Sequence, residues 1–241
     1  MSALLEVRSL SKSFGGLQAV KDLSFDVSEG EIVALIGPNG AGKTTVFALL
    51  SGFLEPDAGE IALRGRSIVG LKPHAICALG LARTFQIVRP FPHLSVLRNV
   101  MVGALARHPE PREAAARAEA VLVEVGLEAR RAQAASGLTL AERKRLELAR
   151  ALATEPAVLL LDEVMAGLNA AETERIVELV LGINRRGVAI VLIEHVMRAV
   201  MSLSRRIVVI NYGERIAEGV PDAVANDPRV IEAYLGDTAE G

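Results

Sequence analysis

Eight consecutive residues carry the most specific chemistry in this sequence. Gly37-Pro38-Asn39-Gly40-Ala41-Gly42-Lys43-Thr44 fills every position of G-x-x-x-x-G-K-[ST], directly after the apolar run Ile32 to Ile36 and ahead of helical periodicity from about Lys43 to Leu50. Glycines let backbone N–H groups turn inward around phosphate oxygens, and a helix N-terminus adds a favourable dipole. Lys43 would set a positive charge against β and γ phosphates, and Thr44 would offer its hydroxyl to Mg²⁺. The competing reading is a glycine-rich turn that contains Lys-Thr by chance, and it must meet every constrained position at once.

Such a site also needs an acid at the end of a buried strand. Val158-Leu159-Leu160-Leu161-Asp162-Glu163 supplies two. Asp162 would hold Mg²⁺ through its water shell, and Glu163 would polarise a water attacking the γ phosphate. An apolar run ending in Asp-Glu is common, so its weight comes from the loop at 37–44.

These residues need a scaffold. Leu4 to Leu10 and Leu23 to Val27 read as paired antiparallel strands, the second with strict alternation of Leu23, Phe25 and Val27 against polar neighbours. Continuous apolar runs at Ile32 to Ile36, Val158 to Leu161, Val188 to Ile193 and Ile207 to Ile210 suit strands covered on both faces, and helical periodicity precedes the later three. That alternation predicts an α/β fold with a parallel sheet. From about Pro90 to Leu152 the pattern is mostly helical, with Val121, Leu122 and Val125 on one face and Leu146, Ala149 and Ala153 on another. The expected organisation is one nucleotide-binding domain over 1–241, with 1–89 and 153–241 forming the sheet regions and 90–152 an inserted helical lobe.

Composition limits the partners. A net charge of -2 and a pI near 6.1 give no basic field for nucleic acid, and 3% aromatic residues with no Trp leave few stacking platforms. No nucleic-acid partner is expected. No stretch approaches the roughly 20 uninterrupted apolar residues of a membrane-spanning helix. Cys77 is the single cysteine and reads as a buried apolar residue. Without a basic-then-apolar leader at the N-terminus, a reduced cytoplasm is the expected setting.

With these residues in order, the chain resembles the ATP-binding cassette (ABC) transporter ATPase family over essentially its whole length. The resemblance implies a P-loop NTPase (RecA-like) parallel core, a small antiparallel β subdomain and the helical lobe. It also implies further stations in ATP and Mg²⁺ handling. Phe14 stands where the family stacks an aromatic on adenine, and Val20 and Thr45 join the nucleotide contacts. Gln86, in Arg83-Thr84-Phe85-Gln86, matches the family's glutamine that senses Mg²⁺ and water. His195, in Ile193-Glu194-His195, stands where a histidine meets the γ phosphate. Asn169, in Ala166-Gly167-Leu168-Asn169, replaces the usual aspartate of the loop that couples the two sites of a dimer.

The family's Leu-Ser-Gly-Gly-Gln signature is altered here to Leu138-Thr139-Leu140-Ala141-Glu142, while Arg143 to Leu152 matches well. Thr139 and Glu142 form a capping-box pattern, so the helix can still present N–H groups to a phosphate, whereas Ala141 adds a Cβ at a close approach. In the family this element closes over ATP held by a second cassette subunit, identical or homologous. Membrane-embedded permease subunits, and indirectly an extracytoplasmic substrate-binding protein, complete the transporter, with the cassette at the cytoplasmic face of the membrane.

Within the family, Arg83 to Gln86, Pro90 to Val96, Ala166 to Asn169 and the tail Asp227 to Gly236 look most like cassettes for uptake of branched-chain or other hydrophobic amino acids. Lipopolysaccharide exporters and urea or amide importers are alternatives, as is a weakly hydrolysing nucleotide-sensing cassette. Phe85, Ile87, Val88, Phe91, Leu94 and Val96 form an apolar start to the lobe, and Phe91 with its flanking prolines is the interface candidate. A small-molecule kinase would lack the stations at Gln86, Leu138 and His195. A DNA-repair or translation ATPase would carry a long coiled coil or a second cassette.

Overall fold

The computed structural model describes residues 3–86 and 89–236. The chain opens with β1 (Leu5–Phe14) and β2 (Leu17–Val27), paired antiparallel in register Leu5 to Val27 and Phe14 to Leu17. Both strands run past their expected limits, and the register shifts between Val7 and Leu10 absorb Ser9, whose φ is positive. β3 (Ile32–Ile36) is wholly buried, and α1 (Lys43–Leu50) starts at the lysine of the loop.

Next come β4 (Ala58–Leu63), the two-residue β5 (Arg66–Ser67), α2 (Pro73–Leu79) and β6 (Leu81–Arg83). Proline opens α2 at a position whose N–H needs no partner, and Gly80 closes it with a left-handed φ of 107°. α3 (Val96–Ala104), α4 (Pro111–Glu124) and α5 (Leu140–Leu152) then pack on one another through Val100, Ala104, Ala114, Ala118, Val121 and Leu146. The remainder alternates: β7 (Val158–Asp162), α6 (Ala170–Asn184), β8 (Ala189–Ile193), α7 (Met197–Leu203), β9 (Arg206–Asn211), β10 (Glu214–Gly219), α8 (Pro221–Ala225) and α9 (Pro228–Gly236).

Two sheets result. One is antiparallel, in the order β2-β1-β4-β5. The other has six strands in the order β10-β9-β3-β8-β7-β6 and is parallel except at the β9–β10 edge. The parallel strands β3, β7 and β8 are buried along their whole length, as their unbroken apolar runs require. Because β3, β6, β7 and β8 run the same way, the segments that follow them emerge at one edge of the sheet. In open α/β sheets that carboxyl edge is where ligands sit.

Cys77 is only half-buried on α2, because that short helix buries Ile76 and leaves its other side toward a surface groove. No helix among the described residues is long and apolar enough to cross a membrane.

Candidate functional site

Each functional segment follows a parallel strand. The loop after β3 is shaped by two close approaches. A Cβ on Gly37 would lie 2.0 Å from the Ile210 carbonyl oxygen, and one on Gly42, at φ 105°, would lie 2.3 Å from that of Ala19. Both positions exclude any side chain, while Gly40 points into open space. The Lys43 ammonium folds back over the loop and donates to the carbonyls of Gly37 (2.6 Å) and Pro38 (2.8 Å). Asn39 and Thr44 are exposed, Thr45 is half-buried, and Ala41 turns its methyl into the core.

The segments after β6, β7 and β8 converge on one carboxylate. Gln86 Nε2 donates to Glu163 Oε2 at 2.7 Å, and His195 Nε2 lies 2.8 Å from Glu163 Oε1. These three residues are remote in sequence and meet because β7 lies between β6 and β8. Glu163 itself has φ 49°, a left-handed backbone in a residue with a Cβ, held in place by its N–H bond to the Ile193 carbonyl. Such strain persists only where the surroundings impose it, and it gathers at functional sites.

One residue earlier, Asp162 is 2% exposed. Its N–H donates to Thr84 Oγ1 at 3.1 Å and its Oδ2 accepts from Arg83 at 2.7 Å. The Asp162 carboxylate at the end of β7 and the exposed Thr44 hydroxyl at the start of α1 are donors of the kind that suit Mg²⁺, which protein sites hold through one or two carboxylates, substrate phosphates and water. Among the described residues no group of three or more His, Cys, Asp or Glu is arranged as a metal cage.

Several buried polar side chains support these positions without a motif to announce them. Lys144 on α5 donates to the carbonyls of Glu163 (2.9 Å) and Gln86 (3.3 Å). Burial pushes its ammonium below the usual lysine range, against the pull of Glu194, Glu163 and Asp162. Glu194 accepts from the Met165 N–H at 2.8 Å, and burial lifts its carboxyl above the ordinary range. On α9, burial raises the phenol of the half-buried Tyr234 above its ordinary range. Their only sequence signal is polarity at a core position, which becomes informative once the strand order is known.

Two of the expected contact residues are engaged within the chain. Val20 is wholly buried in β2 and packs in the core, because β2 turns that face inward and carries the Ala19 carbonyl past Gly42. Glu142 is engaged as a cap: its Oε2 accepts from the Thr139 N–H and its Oε1 from Arg130, while Thr139 Oγ1 accepts from the Glu142 N–H. Asn169 caps α6 in the same reciprocal way with Glu172, a role any short oxygen-bearing side chain fills. Phe14 ends β1 with its ring 46% exposed. Thr139 is exposed and Ala141 half-buried at the start of α5. Ile87 and Val88 lie outside the described residues, Val96 is core, and Phe85 and Phe91 are exposed.

The family model for ABC transporters matches residues 20–166, from before the phosphate loop through Glu163. The chain belongs to the ABC transporter family. A second model, for branched-chain amino acid ATP-binding cassette transporters, matches residues 214–240 of this ABC ATPase. LivG of Salmonella typhimurium, a high-affinity branched-chain amino acid transport ATP-binding protein, is 44% identical over 97% of this chain and 98% of its own length. LptB of Acidithiobacillus ferridurans, a lipopolysaccharide export system ATP-binding protein, is 36% identical over 98% of each. Among solved structures, the ADP conformation of MJ1267, an ATP-binding cassette of an ABC transporter, aligns with TM-score 0.89 and 28% identity over 98% of this chain and all of that one. The ABC cassette binds ATP and hydrolyses it to drive transport, as the ATPase subunit of a transporter complex.

Proposed function

We propose that this cassette powers the uptake of branched-chain or other hydrophobic amino acids. The convergence of Gln86 and His195 on the strained Glu163 supports the catalytic part of this reading, since a carboxylate held in this way suits the polarising of an attacking water. Similarity to LivG and the match over 214–240 support the substrate class.

In this reading the backbone of 37–42 cradles the phosphates, and Lys43 leaves the Gly37 and Pro38 carbonyls to meet the β and γ oxygens. Phe14 offers a ring to adenine. Thr44, Asp162 and Gln86 would hold Mg²⁺, which would neutralise charge on the β and γ phosphates. Glu163 accepts a proton from the attacking water, while His195 and Gln86 keep its two oxygens aimed. The element at 138–142 closes over ATP bound by a second cassette, since one chain carries one loop and one such element. Residues 90–152 act as the helical subdomain of a single nucleotide-binding domain.

A groove of about 300 Å³ between α2, α3, α5 and the segment after β6 is the docking place for a permease segment at the cytoplasmic face of the membrane. Its mostly apolar walls include Phe53, Phe85 and Val102, all exposed. An external binding protein then delivers the amino acid to the permease. Uptake of radiolabelled leucine, valine and isoleucine should cease in cells whose sole copy carries Lys43→Ala. Unchanged uptake, with loss of lipopolysaccharide export or of urea uptake instead, would overturn the substrate assignment.

A further inference from the structure

Arg83 joins the groove to the ATP site. Its side chain is 8% exposed, yet it lines the groove at one end and binds Asp162 Oδ2 at the other. The guanidinium lies 5.7 Å from the Phe47 ring and 5.2 Å from the Phe85 ring, and its NH1 reaches Ser51 Oγ at 3.3 Å. Its Nε is buried without a hydrogen-bond partner among the described residues. Phe85 in turn meets Phe53 edge-on, with ring centres 5.5 Å apart at 88°, and these rings are 40% and 54% exposed.

A chain of contacts therefore runs from two exposed aromatic rings in the groove, through one buried cation, to the Asp162 carboxylate at the end of β7. Arginine suits the middle position. Its planar guanidinium can stack on aromatic faces and donate to a carboxylate in the same pose, which a lysine ammonium cannot do. A buried Nε with no partner marks a guanidinium whose position is set by the ion pair and the rings rather than by full hydrogen bonding.

We propose that Arg83 is a positioning residue that fixes the orientation of the Asp162 carboxylate and passes to it the packing state of Phe85 and Phe53 in the groove. The inference rests on the assignment of Asp162 to the metal and of the groove to the permease. A segment seated on Phe85 changes how firmly Arg83 is clamped, and so how well Asp162 is aimed. The physical carrier is a set of touching groups with few alternative packings.

The test is Mn²⁺ binding to full-length protein holding a non-hydrolysable ATP analogue, read by electron paramagnetic resonance. Analogue binding in excess chelator serves as the metal-free reference. Arg83→Met should weaken Mn²⁺ binding at least 5-fold while metal-free analogue affinity changes less than 2-fold. Arg83→Lys should recover part of the loss. Phe85→Leu, at an exposed ring against Phe53 and Arg83, should weaken Mn²⁺ binding 2- to 3-fold and keeps the test open if Arg83→Met fails to fold. Asp162→Asn is the control. If it leaves Mn²⁺ binding unchanged, the metal assignment itself fails. If it weakens binding while Arg83→Lys and Phe85→Leu match wild type, Arg83 is only a packing residue and the inference is overturned.

Discussion

Glu163 shows how much of this site one residue can concentrate. Its backbone is strained, both carboxylate oxygens are engaged, and its two partners follow different strands. Glu163→Gln should lower kcat by about 10²- to 10⁴-fold, the usual contribution of a positioned base, with ATP affinity kept within about threefold. Lys43→Ala should instead abolish measurable ATP binding, because it removes the charge that meets the phosphates. Equilibrium binding of a fluorescent ATP analogue beside steady-state turnover separates the two effects, and equal loss of binding in both variants would remove Glu163 from the role of base. At this scale the motif residues were legible in the sequence, since spacing alone singles out Gly37 to Thr44. Arg83, Lys144 and Glu194 were not. Each is a polar side chain in an apolar run or on a helix, and its use depends on which strand lies beside which.

The element that departs most from the family's pattern, the start of α5, is well built as a helix N-terminus. Thr139 and Glu142 satisfy each other's N–H groups, and the Glu142 carboxyl is held below its ordinary range, chiefly by the Thr139 N–H and, against burial, by Arg130. Thr139→Ala should cost about 1 kcal/mol of stability, measured by urea unfolding. Because the folded-state value of Glu142 is depressed, its contribution is present above pH 4.5 and is lost as pH falls through the folded value. The stability gap between wild type and Glu142→Gln should therefore hold at neutral pH and narrow as pH falls below 4.5, and a gap independent of pH would contradict the cap assignment. Among elements, β3, β7, β8 and α1 were legible because unbroken apolar runs and the loop motif mark them. The stretch holding β4, β5, α2 and β6 was not, since β5 has two residues, β6 has three and much of β4 is exposed. β10 was missed for the same reason: it is a mostly exposed antiparallel edge with little alternation to read.

For the whole molecule, the proposed reading has one chain contribute half of each of two ATP sites, and the fold keeps the two contributing elements apart. The phosphate loop sits at the carboxyl edge of β3, while the start of α5 is a separate exposed N-terminus with Leu140 45% exposed, 3.1 Å from where a Cβ on Gly167 would stand. If that start acts on ATP held by a partner, mixing Lys43→Ala chains with Ala141→Asp chains should restore one competent site per heterodimer. Recovery approaching a quarter of wild-type activity is expected if the chains pair at random and each dimer keeps one working site of two, as about half the dimers would be mixed. No recovery would place both defects in one site. The most direct measurement is light scattering on purified Glu163→Gln protein with and without Mg²⁺ and ATP. The account predicts a monomer in their absence and a dimer in their presence. A protein that binds ATP yet stays monomeric would contradict a cassette that closes on a second copy of itself.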